Sequence, residues 1–139
     1  MKRSYARENA FTMLYEKKFK PEISYAELYE NALICRELED DPYIKGVILG
    51  VAEHEEQINS MIDRFLRRWR RDRISKVALA IITLSTYEML YMKEVPLRVS
   101  MNEAIELAKK FGDDKTRKFV NGILNSIAAI AKEGRGEDE

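Results

Sequence analysis

Residues 95–124 read VPLRVSMNEAIELAKKFGDDKTRKFVNGIL, and this stretch decides the fold class. Ser100 and Glu103 stand at the S-x-x-E spacing of a capping box, in which hydroxyl and carboxylate satisfy each other's backbone N–H groups. A helix is therefore expected to begin near Met101. Gly112, directly after Phe111, predicts a left-handed C-cap that ends it. Asp113 or Asp114 can cap a second helix, whose first turn is the cationic Lys115-Thr116-Arg117-Lys118. Positive charge in a first turn opposes the helix macrodipole. Local stability does not account for it, and an anionic partner is the simplest reason for its presence.

The same helical punctuation extends outward on both sides. Ala6, Ala10, Met13 and Leu14 predict a first helix over about Tyr5 to Lys18, closed before Pro21. Ser24 with Glu27 forms another capping box, and Asp41 followed by Pro42 places a cap before proline at the first helical position. From there Ile44, Ile48, Val51, Ile58, Ile62, Phe65 and Trp69 trace one apolar stripe, with Trp69 as an interhelical core residue. Gly46 and Gly50 weaken that helix, and a bend or break is expected at Glu53–Gln57. Asp72 is the candidate cap of a helix over 74–91 that is apolar on most faces, which marks it as the central helix. Phe119, Val120, Ile123, Leu124, Ile127 and Ile130 line the last one. No segment alternates strictly enough for a strand. The expectation is an all-α single compact domain of six or seven helices over residues 1–133. Two helical sub-bundles meet around Leu79–Leu90, and residues 134–139 form a disordered polar tail.

A chain of 139 residues suits one domain with a real core. Its 24 lysines and arginines balance 24 aspartates and glutamates, whereas a protein that binds nucleic acid by charge alone is clearly basic. The charge is unevenly spread, however. Residues 1–20 and 64–76 are basic and 22–56 are acidic. Such a chain can hold a polyanion on one side, weakly and with marked salt sensitivity, unless a partner adds contacts. Arg67, Arg68, Arg70 and Arg71 read as a cationic helix end. Cys35 is the single cysteine, which excludes an internal disulfide. No apolar run approaches the ~20 residues of a membrane helix, and no signal peptide is legible, so a cytoplasmic protein is expected.

Catalysis finds little support. The one histidine, His54, lies in the polar run Glu53-His54-Glu55-Glu56, and Cys35 reads as a small buried or half-buried apolar residue. There is no glycine-rich phosphate loop, metal-ligand spacing or nucleophile elbow. The capping box already explains Glu103. No enzymatic activity, cofactor or metal is expected.

NEAIELAKKFG at 102–112 followed by KFVNGIL at 118–124 resembles the signature of the NusB family, bacterial transcription antitermination factors that bind RNA. Arg3, Arg7, Ala10, Leu14 and Tyr15 resemble the family's first helix. Trp69 with Arg73 looks like its W-x-x-x-R element, and Tyr87-Glu88 followed by Val95-Pro96 resembles its YE…(I/V)P element. The match covers about the whole chain in the family's order, with Ala78 and Thr83 departing from charged residues usual in the central helix. The resemblance implies the family's helical fold. It also implies RNA contacts by the basic arm, Lys2, Arg3 and Arg7, whose arginine forks suit phosphate. Tyr15 on the first helix, and Lys115, Lys118 and Phe119 at the start of the last, complete the set. Both Tyr15 and Phe119 can equally be packing residues. The partners implied are a single-stranded boxA element of ribosomal RNA leaders, the small-subunit ribosomal protein NusE, and the RNA polymerase antitermination complex. The alternative is a NusB-like helical protein-interaction module, a homodimer, without RNA activity of its own.

Overall fold

The computed structural model describes residues 1–66, 69 and 71–136, Arg71 by its backbone alone. Seven α-helices make up these described residues: α1 (Arg3–Lys17), α2 (Tyr25–Cys35), α3 (Pro42–Glu53), α4 (Glu55–Asp63), α5 (Lys76–Tyr91), α6 (Leu97–Phe111) and α7 (Asp114–Arg135). A short 3-10 turn, Arg71–Arg73, precedes α5. The expected cationic helix end at Arg67, Arg68, Arg70 and Arg71, and residues 137–139 of the expected tail, lie outside the described residues.

α5 is the hub. Residues 78–86, Glu88 and Met89 are buried on it, and it packs against α1, α3, α4, α6 and α7. A helix apolar on most of its circumference can be stable only when other helices cover it on every side. α1, α2 and α3 pack on one another as the N-terminal sub-bundle, and α6 and α7 pack on each other and on α5 as the C-terminal one. Arg7 on α1 bonds Glu88 while the Lys76 ammonium lies over the Phe19 ring, just beyond α1, so α1 and α5 run antiparallel.

Several caps form where their chemistry predicts. Ser24 Oγ accepts from Glu27 N–H at 3.1 Å, and Asp41 Oδ1 accepts from Ile44 N–H at 3.0 Å with Pro42 at the first helical position. The break expected near Glu53 is a one-residue joint at His54, whose ring stacks on Tyr91 at 3.9 Å between centroids.

Five local expectations are corrected. The Ser100–Glu103 box does not form, because α6 starts a turn earlier, at Leu97, behind Pro96 (φ −59°, ψ 143°). Proline's restricted φ makes it a ready helix starter, and it outranks the hydroxyl. Gly112 is not left-handed: its φ is −124°, and what requires glycine is space, since a Cβ there would lie 2.7 Å from Thr116 Cγ2. Ser75, not Asp72, caps α5 by accepting from Ala78 N–H at 2.9 Å. Cys35 is exposed, at the end of α2 beside the exposed Ile34.

The last correction concerns the C-terminus, where the expected boundary after residue 133 falls inside α7. That helix continues through Arg135 to a left-handed cap at Gly136 (φ 71°). The physical reason is Arg135. Its guanidinium donates to the carbonyls of Val95 at 2.8 Å, Met89 at 3.0 Å, and Glu88 and Met92 at 3.1 Å. These carbonyls gather at and beyond the end of α5, where Glu88 and Met92 already accept from the Met92 and Val95 N–H groups, and an arginine fork can serve several of them at once.

Candidate nucleic-acid interface

Two clusters border the seam between α1 and α6, which run side by side in the same direction. Ser4 bonds Glu103, Glu8 pairs with Lys110 at 2.7 Å, and Phe11 meets Phe111 at 4.9 Å between ring centroids. The first cluster surrounds the start of α1. Lys2 and Arg3 are exposed. The Arg3 guanidinium lies over the face of Tyr43, 4.4 Å from the centroid, a cation–π arrangement that fixes where its charge projects.

Arg7 departs from its expected role. Only 4% of it is exposed. Its Nε donates to Glu88 Oε2 at 2.8 Å and its Nη1 to Glu103 Oε1 at 2.9 Å. The Tyr43 hydroxyl also donates to Glu88 Oε2, at 2.5 Å, and Ser100 Oγ donates to Glu88 Oε1 at 2.8 Å. Ser85 and Ser100 join hydroxyls at 2.8 Å behind them. Burial opposes the charge on Arg7, but Glu88 and Glu103 outweigh it and hold the pKa above its ordinary value. Burial and the Glu88 carboxylate push the Tyr43 phenol upward. This network is closed: a buried carboxylate and a buried guanidinium neutralise each other, with hydroxyls satisfying the remaining lone pairs. A phosphate would have to displace two carboxylates to reach Arg7, so Arg7 organises the arm from below.

Sequence reasoning missed this network, although signals for it exist. Glu88 is the one acidic residue within the apolar run of α5, and a lone carboxylate on a buried helix demands a partner. Arg7 shares a face with Ala10 and Leu14 at i+3 and i+7, so it lies on the buried stripe.

The second cluster gathers at the other end of the seam. Tyr15 is half-buried, with its ring 6.1 Å from Phe11 and 5.0 Å from Phe19. Phe11 carries the contact on to Phe111, the last residue of α6. Across Gly112 the chain turns into α7, capped by Asp113, whose Oδ1 accepts from the Thr116 N–H and hydroxyl, each at 2.8 Å. Those two bonds hold the Asp113 carboxyl below its usual range. Lys115 and Lys118 are exposed on the first turns, and among the described residues neither makes an ion pair. Phe119 is half-buried, with its ring 5.0 Å from that of Trp69 at 78°. Trp69, expected in the core, is 50% exposed; α4 stops at Asp63, so the apolar stripe never reaches it as a helix.

From Arg3 to Phe11 along α1 is about 12 Å at the helical rise. The seam therefore has cations at both ends and ring faces at one. Such a surface suits a polyanion that also carries planar groups, with phosphates at the charges and unpaired bases on the rings. Among the described residues no group of His, Cys, Asp and Glu could hold a metal ion. No helix there is long and apolar enough to cross a membrane.

The sequence profile of the NusB family matches residues 4–129. Transcription antitermination protein NusB of Bacillus subtilis (strain 168) is 47% identical over 127 residues, covering 91% of this chain and 95% of that protein. The protein of the same name from Bacillus pumilus (strain SAFR-032) is 46% identical over 127 residues, with the same coverage. The fold matches the crystal form of T. maritima NusB with a TM-score of 0.83 at 32% identity, covering 98% of this chain and 97% of the other. It also matches a chain of the crystal structure of antitermination factors NusB and NusE in complex with dsRNA. There the TM-score is 0.81 at 27% identity, over 92% of this chain and 96% of that one.

Proposed function

The chain belongs to the NusB family, non-enzymatic factors of transcription antitermination, and from that premise we propose that it binds boxA-type single-stranded RNA along the α1–α6 seam. It does so jointly with NusE and enters the RNA polymerase antitermination complex in the cytoplasm. The observation that carries this reading is the start of α7. Lys115 and Lys118 stand exposed on the first two turns of α7, next in sequence to Phe119, and make no ion pair among the described residues. Lys2 and Arg3 supply phosphate contacts at the far end of the seam, and Tyr15 borders the end nearer α7. Arg7 serves by holding the arm rather than by touching RNA. The solved relative in complex with NusE and RNA supports the partnership. That RNA is double-stranded; exposed ring faces favour unpaired bases here.

The role of the partner follows from charge. A formally neutral chain draws modest affinity from counterion release, and a second protein on the same RNA adds the rest. In a gel-shift titration the protein alone should bind boxA RNA weakly, and addition of NusE should tighten binding. Lys115→Glu lowers both the affinity and the salt slope; a variant unchanged in both removes the α7 start from the interface. If the protein self-associates through this face and RNA does not bind with or without NusE, the homodimer reading replaces this one.

A further inference from the structure

We infer that Trp69 is a second base-stacking position, adjoining Phe119, for an unpaired nucleotide of the bound RNA. The inference rests on the RNA reading above and adds a residue to it. Three observations carry it. Trp69 is half exposed, although tryptophan is among the side chains that gain most from burial. It is positioned all the same: its backbone N–H donates to the Leu66 carbonyl at 2.9 Å, which fixes the turn that carries it, and its ring meets Phe119 at 5.0 Å and 78°. In an edge-to-face pair one ring offers its rim to the other's face, so each ring keeps a face that the other does not cover.

Charge selects the occupant. Lys118 immediately precedes Phe119 and Lys115 lies one turn before it, both exposed. An apolar protein surface laid over Trp69 would have to desolvate these ammonium groups without compensation. A nucleotide presents a planar π-face for the indole and a phosphate for the lysines, so one ligand satisfies both. Stacking is tolerant of base identity, so this position contributes affinity more than sequence preference.

Trp69 is the only tryptophan in the chain, so its emission reports on this position alone. The experiment titrates the full protein with end-labelled boxA-type RNA, following label anisotropy and tryptophan emission together. Saturating RNA is expected to quench the emission. Trp69→Ala should weaken binding about tenfold, while Trp69→Phe, which keeps a ring, stays within about threefold of the parent. Both should melt as the parent does, since the side chain is half in solvent. Lys118→Ala needs more RNA to saturate but reaches the same final quenching. RNA that binds by anisotropy with no emission change, and Trp69→Ala binding as the parent does, overturns the inference and leaves the RNA function standing. Quenching by NusE alone, with none from RNA, also overturns it in favour of a protein contact. Absence of RNA binding in either readout overturns both.

Discussion

Two cationic positions along the α1–α6 seam, Arg7 and the Lys115–Lys118 turn, look alike in the sequence and stand in opposite environments in the structure. At one end the Arg7 guanidinium is buried between Glu88 and Glu103, and Tyr43, Ser100 and Ser85 complete the hydrogen bonding around it. At the other, Lys115 and Lys118 stand in solvent on the first two turns of α7, behind the Asp113 cap and Asp114. The first cluster holds α1, α3, α5 and α6 together. The second leaves Lys115 and Lys118 exposed and without an ion pair among the described residues. A cation is free to bind only if the fold has not already given it a carboxylate, and counting charges along the chain does not reveal which cations those are.

The largest effect should come from breaking the closed end. Glu88→Ala leaves Arg7 buried without its main counter-charge, and loss of one partner of a buried pair costs about 3–5 kcal/mol. Chemical denaturation should show that loss. A variant that unfolds like the parent would mean the network contributes little, and the contrast between the ends would collapse. An intermediate effect tests the open end. Lys118→Ala should weaken RNA binding about threefold to tenfold and reduce the salt slope by about 0.7, with the melting temperature unchanged. Arg7→Ala should do the reverse, lowering stability while the salt slope of whatever folded protein remains stays near that of the parent. Equal slope changes in the two variants would show that Arg7 does reach phosphate.

The smallest effect sharpens the picture of how the open end is built. Asp113 is held below its usual pKa by the two bonds from Thr116. A folded-state pKa below the unfolded value gives stability that is present above the ordinary carboxylate pKa. It is lost as pH falls through the folded value. Melting curves taken from about pH 5 down to about pH 2 should therefore show an acid-side decline to which Asp113 contributes. Asp113→Asn keeps a capping oxygen and should make that decline shallower; an identical acid limb would remove Asp113 from the account.

Much of the fold was legible because it depends on local or periodic signals. The apolar circumference of α5, the Asp41–Pro42 start of α3, the joint near His54 and the Asp113 cap of α7 are all written within a few residues. The family signature in 102–124 lies on α6 and α7, where those signals are densest. The misread features each involve competition or distance. Ser100 and Glu103 have the spacing of a capping box, but Pro96 starts the helix first, and both side chains then serve Glu88 and Arg7 from other helices. Trp69 continues a stripe on paper, yet α4 stops at Asp63 and leaves it half in water against Phe119. Arg135 looks like part of a polar tail until the carbonyls at the end of α5 stand within its reach.

By itself the sequence determined that this chain is helical throughout, which helix is central, where most helices start, and that cations cluster at two places. These follow from periodicity, capping chemistry and composition, all of which act over a turn or two of chain. Only the tertiary structure decided which cations are neutralised inside, which stay open, and which aromatic rings face solvent. The reason is that burial and pairing depend on groups such as Arg7 and Glu88, 81 residues apart in the chain, whose meeting exists only once α1 has packed against α5.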